Sequence, residues 1–269
     1  MSPRENKPHR ARKRFGQHFL VDAGAIDTII DLLDHPTSGD DRTTLLEIGP
    51  GLGALTGPLM ERFNRLTVVE IDRDLAKRLR QRFIDQPDFE LIEQDALRLK
   101  LDQISDRQFT IIGNLPYNIS TPLLFHLFSQ KQLIESMLFM LQKEVVQRMA
   151  AEPGSKRYGR LSVMTQYHCD VEELLIIEPE SFDPPPKVDS QMVRLRPKPP
   201  TSLDPVIEKR LATIVTAAFA QRRKTLRNTL SLHCTTEMIE AAGCDPKARA
   251  ETLSLDQFIA LANQPVLEI

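Results

Sequence analysis

Apolar positions along this chain follow two rhythms, short continuous runs and helically spaced stripes. Thr44-Leu45-Leu46-Glu47-Ile48, Leu66-Thr67-Val68-Val69-Glu70, Phe89-Glu90-Leu91-Ile92-Glu93, Phe109 to Ile112 and Ser136 to Leu141 read as buried strands. Helical stripes lie between them: Ala54 to about Phe63, a stretch capped by Asp72, and Gln142 to about Ala150. Asp22 opens an earlier helix with Ile26, Ile29, Ile30 and Leu33 on one face. Strands alternating with helices predict a doubly wound, mostly parallel α/β sheet, Rossmann-like and covered on both faces. A further helix is expected over Arg160 to about His168. Glu172 to Ile177 and Ser190 to Leu195 are late strands around Phe182 to Val188, which suits a hairpin end to the sheet.

The rhythm changes after Arg196-Pro197-Lys198-Pro199-Pro200-Thr201-Ser202, a stiff proline-rich linker. Beyond it only helical patterns appear: Pro205 to Ala220, Arg223 to Leu232, Thr236 to Ala242 and Leu255 to Ala262. The expected organisation is an α/β domain over 1–198, carrying a basic N-terminal arm, and a small all-helical domain over 199–269.

The 269 residues, 41% of them hydrophobic, suffice for one full core and a smaller unit. No apolar run has membrane-spanning length. Residues 1–14 are basic and polar with no hydrophobic segment behind them, unlike a secretory signal. Cys169, Cys234 and Cys244 form no CxxC pair, so a reducing, cytoplasmic setting, no disulfide framework and no metal site are expected. A monomer is also expected. Net charge is −2, yet it is unevenly spread. Arg4, Lys7, Arg10, Arg12, Lys13 and Arg14 crowd the N-terminus, and Arg222, Arg223, Lys224 and Arg227 cluster without an acid. Local basic clusters on a near-neutral chain are the footprint of a phosphate-binding face, although each taken singly also suits a solvated surface.

Candidate chemistry collects at strand ends. Gly49-Pro50-Gly51-Leu52-Gly53 joins a strand to a helix, where glycines let backbone approach a ligand. Glu70 ends the next strand, at the position where a carboxylate accepts ribose hydroxyls. With Ala54 in the third-glycine position the pattern also approaches the dinucleotide fingerprint, so the glycines leave nicotinamide cofactors and S-adenosylmethionine both open. Asp95-Ala96 pairs a carboxylate with a backbone N–H, matching the amino group and N1 of adenine; Asp95 would equally serve as an N-cap. Gly113-Asn114-Leu115-Pro116-Tyr117-Asn118-Ile119-Ser120 follows the fourth strand. Pro116 fixes its own φ and keeps Leu115 extended, so an amide, backbone carbonyls and an aromatic ring sit on a stiff turn.

Phe15 to Leu20, Glu47 to Gly53, Glu70, Asp95 and Asn114 to Thr121 together resemble the ribosomal RNA adenine dimethyltransferase family. The likeness runs through nearly the whole chain, including Phe125 to Phe128, Phe139 to Val145, Tyr158 to Val163, Pro184 to Ser190 and Gln221 to Thr225. Relatives that methylate a large-subunit adenine share the Gln-x-Phe-Leu and Asn-x-Pro-Tyr motifs. The Pro-Pro-Pro-Lys-Val-Asp-Ser run and the Gln-Arg-Arg-Lys-Thr stretch favour the small-subunit branch.

The resemblance implies S-adenosylmethionine as methyl donor. It implies 16S rRNA, within the small ribosomal subunit, as substrate, with two methyls placed on N6 of each of two adjacent adenosines in the 3′-terminal hairpin. Carried over by position, His18, Leu20, Gly49, Gly51, Glu70, Asp95, Ala96 and Asn114 contact the donor. His18 stands where the family often has Asn, and a neutral imidazole still hydrogen-bonds. The Asn114 side chain and the Leu115 carbonyl would accept the two N6–H bonds, Tyr117 would stack on the base, and Phe182 would close its other face. Arg12, Lys13, Arg14, Arg222, Arg223 and Lys224 would meet RNA. A nicotinamide oxidoreductase and a non-enzymatic RNA-binding assembly factor are the competing readings; Asn-Leu-Pro-Tyr offers no hydride-transfer residue.

Overall fold

The computed structural model describes residues 18–33, 43–63, 65–199 and 205–266. In chain order the elements are β1 (Phe19–Leu20), α1 (Ala23–Asp31), β2 (Thr43–Ile48), α2 (Thr56–Arg62), β3 (Leu66–Glu70), α3 (Arg73–Arg82), β4 (Phe89–Glu93), β5 (Gln108–Asn114), α4 (Ser120–Phe128), β6 (Ile134–Gln142), α5 (Lys143–Met149), α6 (Arg160–His168), β7 (Cys169–Ile177), β8 (Phe182–Asp183) and β9 (Ser190–Pro197). Four helices follow: α7 (Pro205–Phe219), α8 (Leu226–Thr229), α9 (Thr236–Ala241) and α10 (Leu255–Ala262).

The main sheet runs β4-β3-β2-β5-β6-β9-β7, and β1 pairs with β8 in a separate antiparallel ladder. The pairs β2–β3, β2–β5, β3–β4 and β5–β6 are parallel. Chain order reverses on either side of β2, with β3 on one flank and β5 on the other. That switch point is where open α/β sheets bind ligands, beyond the carboxyl ends of the strands. Every residue of β3 is buried, as expected of a central parallel strand, whereas β4 at the sheet edge is only partly covered. The late strands β7 and β9 are neighbours, as the sequence predicts.

Local chemistry sets several boundaries. Asp22 caps α1 by accepting from the Ala25 N–H at 3.0 Å, and Asp72 caps α3 through the Asp74 N–H, also at 3.0 Å. The strand before the Asn-Leu-Pro-Tyr turn does not stop at Gly113. It continues through Asn114, because Gly113 faces the Ile48 carbonyl oxygen of β2 so closely that a Cβ there would collide with it. Gly113 is thus a close-approach residue inside the sheet, and Asn114 is held by strand pairing with Met140.

The chain divides into two compact units. The first holds the residues up to Lys143 together with Leu174–Arg194; the second holds Glu144–Glu173 and the residues from Leu195 onward. The sequence pattern predicts a single cut, at 198/199. The second unit also takes in α6, which packs against α7 and α10. Its core stacks Tyr158 edge-on against Phe219 at 6.0 Å, and Phe219 against Phe258 at 5.7 Å. A capping box joins Ser254 and Gln257 at the start of α10. The helix expected over Arg223 to Leu232 is mostly absent. Arg222, Arg223 and Lys224 form an exposed turn, closed by the Lys224 N–H on the Gln221 carbonyl at 2.9 Å, and only Leu226–Thr229 is helical. Among the described residues no helix is long and apolar enough to cross a membrane.

Candidate active site

A cavity of about 330 Å³ opens at the carboxyl ends of β2, β3, β4 and β5, all within the first unit. Every donor-contact candidate named from the sequence lines it: His18, Leu20, Gly49, Gly51, Glu70, Asp95, Ala96 and Asn114. Leu115 and Tyr117 line it as well. The volume lies within the usual range of small-molecule sites, roughly 300–1,000 Å³.

The glycine turn shapes one wall. Gly51 has φ +58, and a Cβ there would press on the Phe19 ring at 3.2 Å. Gly51 turns its N–H to Glu70 Oε2 at 3.3 Å, while Glu70 Oε1 accepts from the Asp72 N–H at 2.8 Å. Glu70 is buried, and burial raises its pKa against the opposing pull of these backbone bonds. Two fixed oxygens, each with a second lone pair, remain suited to a vicinal diol.

Glu47 is a member of the site that the sequence places within the glycine motif without assigning it a role. It is buried, lines the cavity, and accepts from the Thr56 hydroxyl at 2.7 Å. Burial pushes its pKa up to about 8; the neighbouring Glu70 adds to the rise and Thr56 offsets part of it. Its buried place at the end of β2, one residue before the strand's last, was the available signal.

Asp95 serves two purposes. Its Oδ1 accepts from the Leu97 N–H at 3.0 Å, capping a short 3-10 turn, and the residue still faces the cavity. The N-cap and ligand readings are therefore compatible.

The Asn114 side chain is oriented by the residue that leads into β1. Its Nδ2 donates to the His18 carbonyl at 3.1 Å. An amide whose NH₂ is engaged in this way presents Oδ1 as an acceptor. The His18 ring is fixed in turn, with Nδ1 donating to the Pro184 carbonyl at 2.7 Å. That ring also stacks against Tyr117, centroids 5.9 Å apart at 27°. The Tyr117 hydroxyl meets Ser190 Oγ at 2.9 Å. Burial raises the Tyr117 pKa and the Ser190 bond opposes it, so the phenol stays neutral.

Phe182 is not brought to the cavity wall. It is buried in the apolar cluster with Leu20, Ile177 and Met192, and pairs with Leu20 across the β1–β8 ladder. The ring beside Tyr117 is His18. Arg12, Lys13 and Arg14 lie outside the described residues. Arg222, Arg223 and Lys224 lie in the second unit; Arg222 donates to the Lys156 carbonyl at 2.7 Å and pairs with Glu251 at 3.7 Å, whereas Arg223 and Lys224 are exposed. Among the described residues no group of three or more His, Cys, Asp or Glu side chains is arranged to hold a metal ion.

Comparison with known proteins gives this geometry a context. The family model described as "Ribosomal RNA adenine dimethylase" matches residues 8–265. A protein of Hahella chejuensis named ribosomal RNA small subunit methyltransferase A is 49% identical over 263 residues, 96% of this chain and 94% of that one. Its namesake from Leptothrix cholodnii is 53% identical over 258 residues, 94% and 91% of the two chains. Among solved structures, a dimethyladenosine transferase from Plasmodium falciparum superposes with TM-score 0.74 at 26% identity, covering 91% of this chain and 96% of that one. The 23S rRNA methyltransferase ErmE gives TM-score 0.69, also at 26% identity, with 91% and 98% covered.

Proposed function

The chain belongs to the ribosomal RNA adenine dimethylase family, and on that footing we propose that it transfers methyl groups from S-adenosylmethionine to N6 of adenosine in 16S rRNA. The substrates are two adjacent adenosines of the 3′-terminal hairpin, each dimethylated as the small subunit matures. The observation that carries the reading is the Asn114–His18 hydrogen bond, which aims a neutral acceptor into a nucleoside-sized cavity.

The residues present fit the donor. Glu70 offers fixed oxygens to a ribose, and Asp95 has an oxygen beyond its capping bond for the adenine amine, with the Ala96 N–H for ring N1. The backbone at Gly49 and Gly51, both at positive φ, leaves room at the turn. His18 and Leu20 cover the cavity from β1's side. When bound, the sulfonium supplies an electrophilic methyl.

The chain's own work is to prepare the amine. The adenine N6 lone pair is delocalised into the ring, so the amine is a poor nucleophile. Acceptance of its two N–H bonds by Asn114 Oδ1 and the Leu115 carbonyl favours a pyramidal nitrogen and points the lone pair at the methyl. Positive charge builds on N6 during attack, so both acceptors hold the transition state better than the ground state. No strong base is needed, because the ammonium product loses its proton to water. Tyr117 stacks the flipped base on the face turned away from His18, a contact worth about 1–3 kcal/mol. Arg12, Lys13, Arg14, Arg223 and Lys224 hold RNA phosphates, and Arg222 braces the turn that presents the last two. The enzyme acts as a cytoplasmic monomer.

Titration separates this reading from the oxidoreductase. S-adenosylmethionine and S-adenosylhomocysteine are expected to bind and to protect the chain from thermal unfolding, with nicotinamide dinucleotides inert. Saturable binding of a nicotinamide dinucleotide in this cavity, without binding of the methyl donor, would overturn it.

A further inference from the structure

Ser190 is a buried residue at the start of β9, 73 positions from Tyr117 in sequence, and its hydroxyl meets the Tyr117 hydroxyl at 2.9 Å. It does not line the cavity. The bond reaches the outer end of the Tyr117 ring, while His18 backs one face of the same ring at 5.9 Å. The ring is thereby fixed at its tip and on one side, and the Asn-Leu-Pro-Tyr turn fixes its base. Asn114, by contrast, is held without Ser190, through the His18 carbonyl. The site therefore has two devices that share His18 but differ at Ser190: an acceptor pair that reads N–H bonds, and a ring, pinned by Ser190, that reads the base plane.

Dimethylation loads these devices unequally. Unmodified adenine offers two N6–H bonds to two acceptors. After one transfer a single N–H remains, so one acceptor faces a methyl group and the base loses half of its in-plane anchoring. In the second transfer the N6 lone pair forms the new N–C bond, the donor's C–S bond breaks with its electron pair retained by sulfur, and the last N6 proton leaves to water. The nitrogen must still point at the methyl, and stacking on Tyr117 then carries more of the alignment.

We propose that Ser190 is a positioning residue, acting through the Tyr117 hydroxyl, that sustains the second methyl transfer more than the first. This rests on the N6-dimethylation reading above.

The test follows both products over time. Enzyme in excess is mixed with unmethylated small subunits and S-adenosylmethionine, and N6-methyl- and N6,N6-dimethyladenosine are quantified by mass spectrometry to give the ratio of second to first rate constants. Ser190→Ala is expected to lower that ratio roughly 3- to 10-fold, the scale of one missing hydrogen bond, with monomethyl product accumulating. Tyr117→Phe removes the same bond without touching buried β9 and is expected to lower the ratio equally; the double variant falls no further than either single one. A fraction of misfolded enzyme slows both transfers alike and leaves the ratio unmoved. An unchanged ratio in Tyr117→Phe, or additive losses in the double variant, overturns the role of Ser190. Wild-type enzyme that places no methyl on N6 overturns the underlying reading, and this inference with it.

Discussion

The Asn114 side-chain NH₂ donates to the His18 backbone carbonyl at 3.1 Å, across 96 residues of sequence. The bond fixes which end of the amide faces the cavity. It makes Asn114 an orienting acceptor, neither acid nor base, and ties its aim to the short β1–β8 ladder.

Replacing Asn114 by Ala removes the acceptor and leaves the glycine turn, Glu70 and Asp95 in place. The expected result is a fall in kcat of about 10²–10³, the scale found on removing one preorganised polar group. Donor affinity is expected to change only a few-fold. Calorimetric titration with S-adenosylhomocysteine beside a methyl-transfer assay separates the two effects.

Glu47 carries a pH signature. Its folded-state pKa, about 8, lies above the ordinary value of 4.5. The folded chain therefore keeps a proton that the unfolded chain has lost. Stability from this group is fully present below about 4.5 and is lost as pH rises to about 8. The ceiling is about 1.4 kcal/mol per pH unit. Glu47→Gln mimics the neutral acid and still accepts from Thr56. Chemical denaturation of the ligand-free protein at several pH values is expected to show the variant gaining on wild type between about pH 5 and about pH 8, on the order of that slope. A positively charged donor beside Glu47 would favour its ionised form, so wild-type donor affinity is expected to strengthen as pH rises toward about 8, and to do so less in Glu47→Gln.

Within the basic turn the three cations are unequal. Arg222 is engaged by the Lys156 carbonyl and Glu251, while Arg223 and Lys224 are exposed. Charge reversal at Arg223 and Lys224 is expected to weaken binding to small subunits and to flatten its salt dependence, by about one unit of log–log slope for each phosphate no longer neutralised. Filter binding at several salt concentrations measures both. An unchanged slope would remove these residues from the interface.

Much of this was legible in the sequence for physical reasons. Leu66–Glu70, Phe89–Glu93, Arg160–His168 and Leu255–Ala262 appear with the bounds that hydrophobic pattern and capping predict. Gly49, Gly51, Glu70, Asp95 and Asn114 could be found because each sits where a strand ends in a breaker or a carboxylate, whereas His18 and Leu20 came only from the family resemblance. Long-range partners were not legible. Phe182 reads equally well as a base-facing ring or a core anchor until its pairing with Leu20 is seen. Gly113 looks like a strand terminator until the Ile48 carbonyl is seen beside it. Ser190 and Glu47 owe their importance to neighbours fixed only by the fold. The turn at Arg222 to Lys224 runs against the good helix propensity of its residues, and local pattern alone does not show it.

The central claim is tested most directly by incubating the chain with labelled S-adenosylmethionine and unmethylated small subunits and mapping the modified bases. The account predicts N6,N6-dimethyladenosine at two adjacent positions of the 3′-terminal hairpin of 16S rRNA, formed about 10²–10³-fold more slowly by Asn114→Ala. Label in another base or in large-subunit RNA, or a near-wild-type rate of labelling by Asn114→Ala, would contradict it.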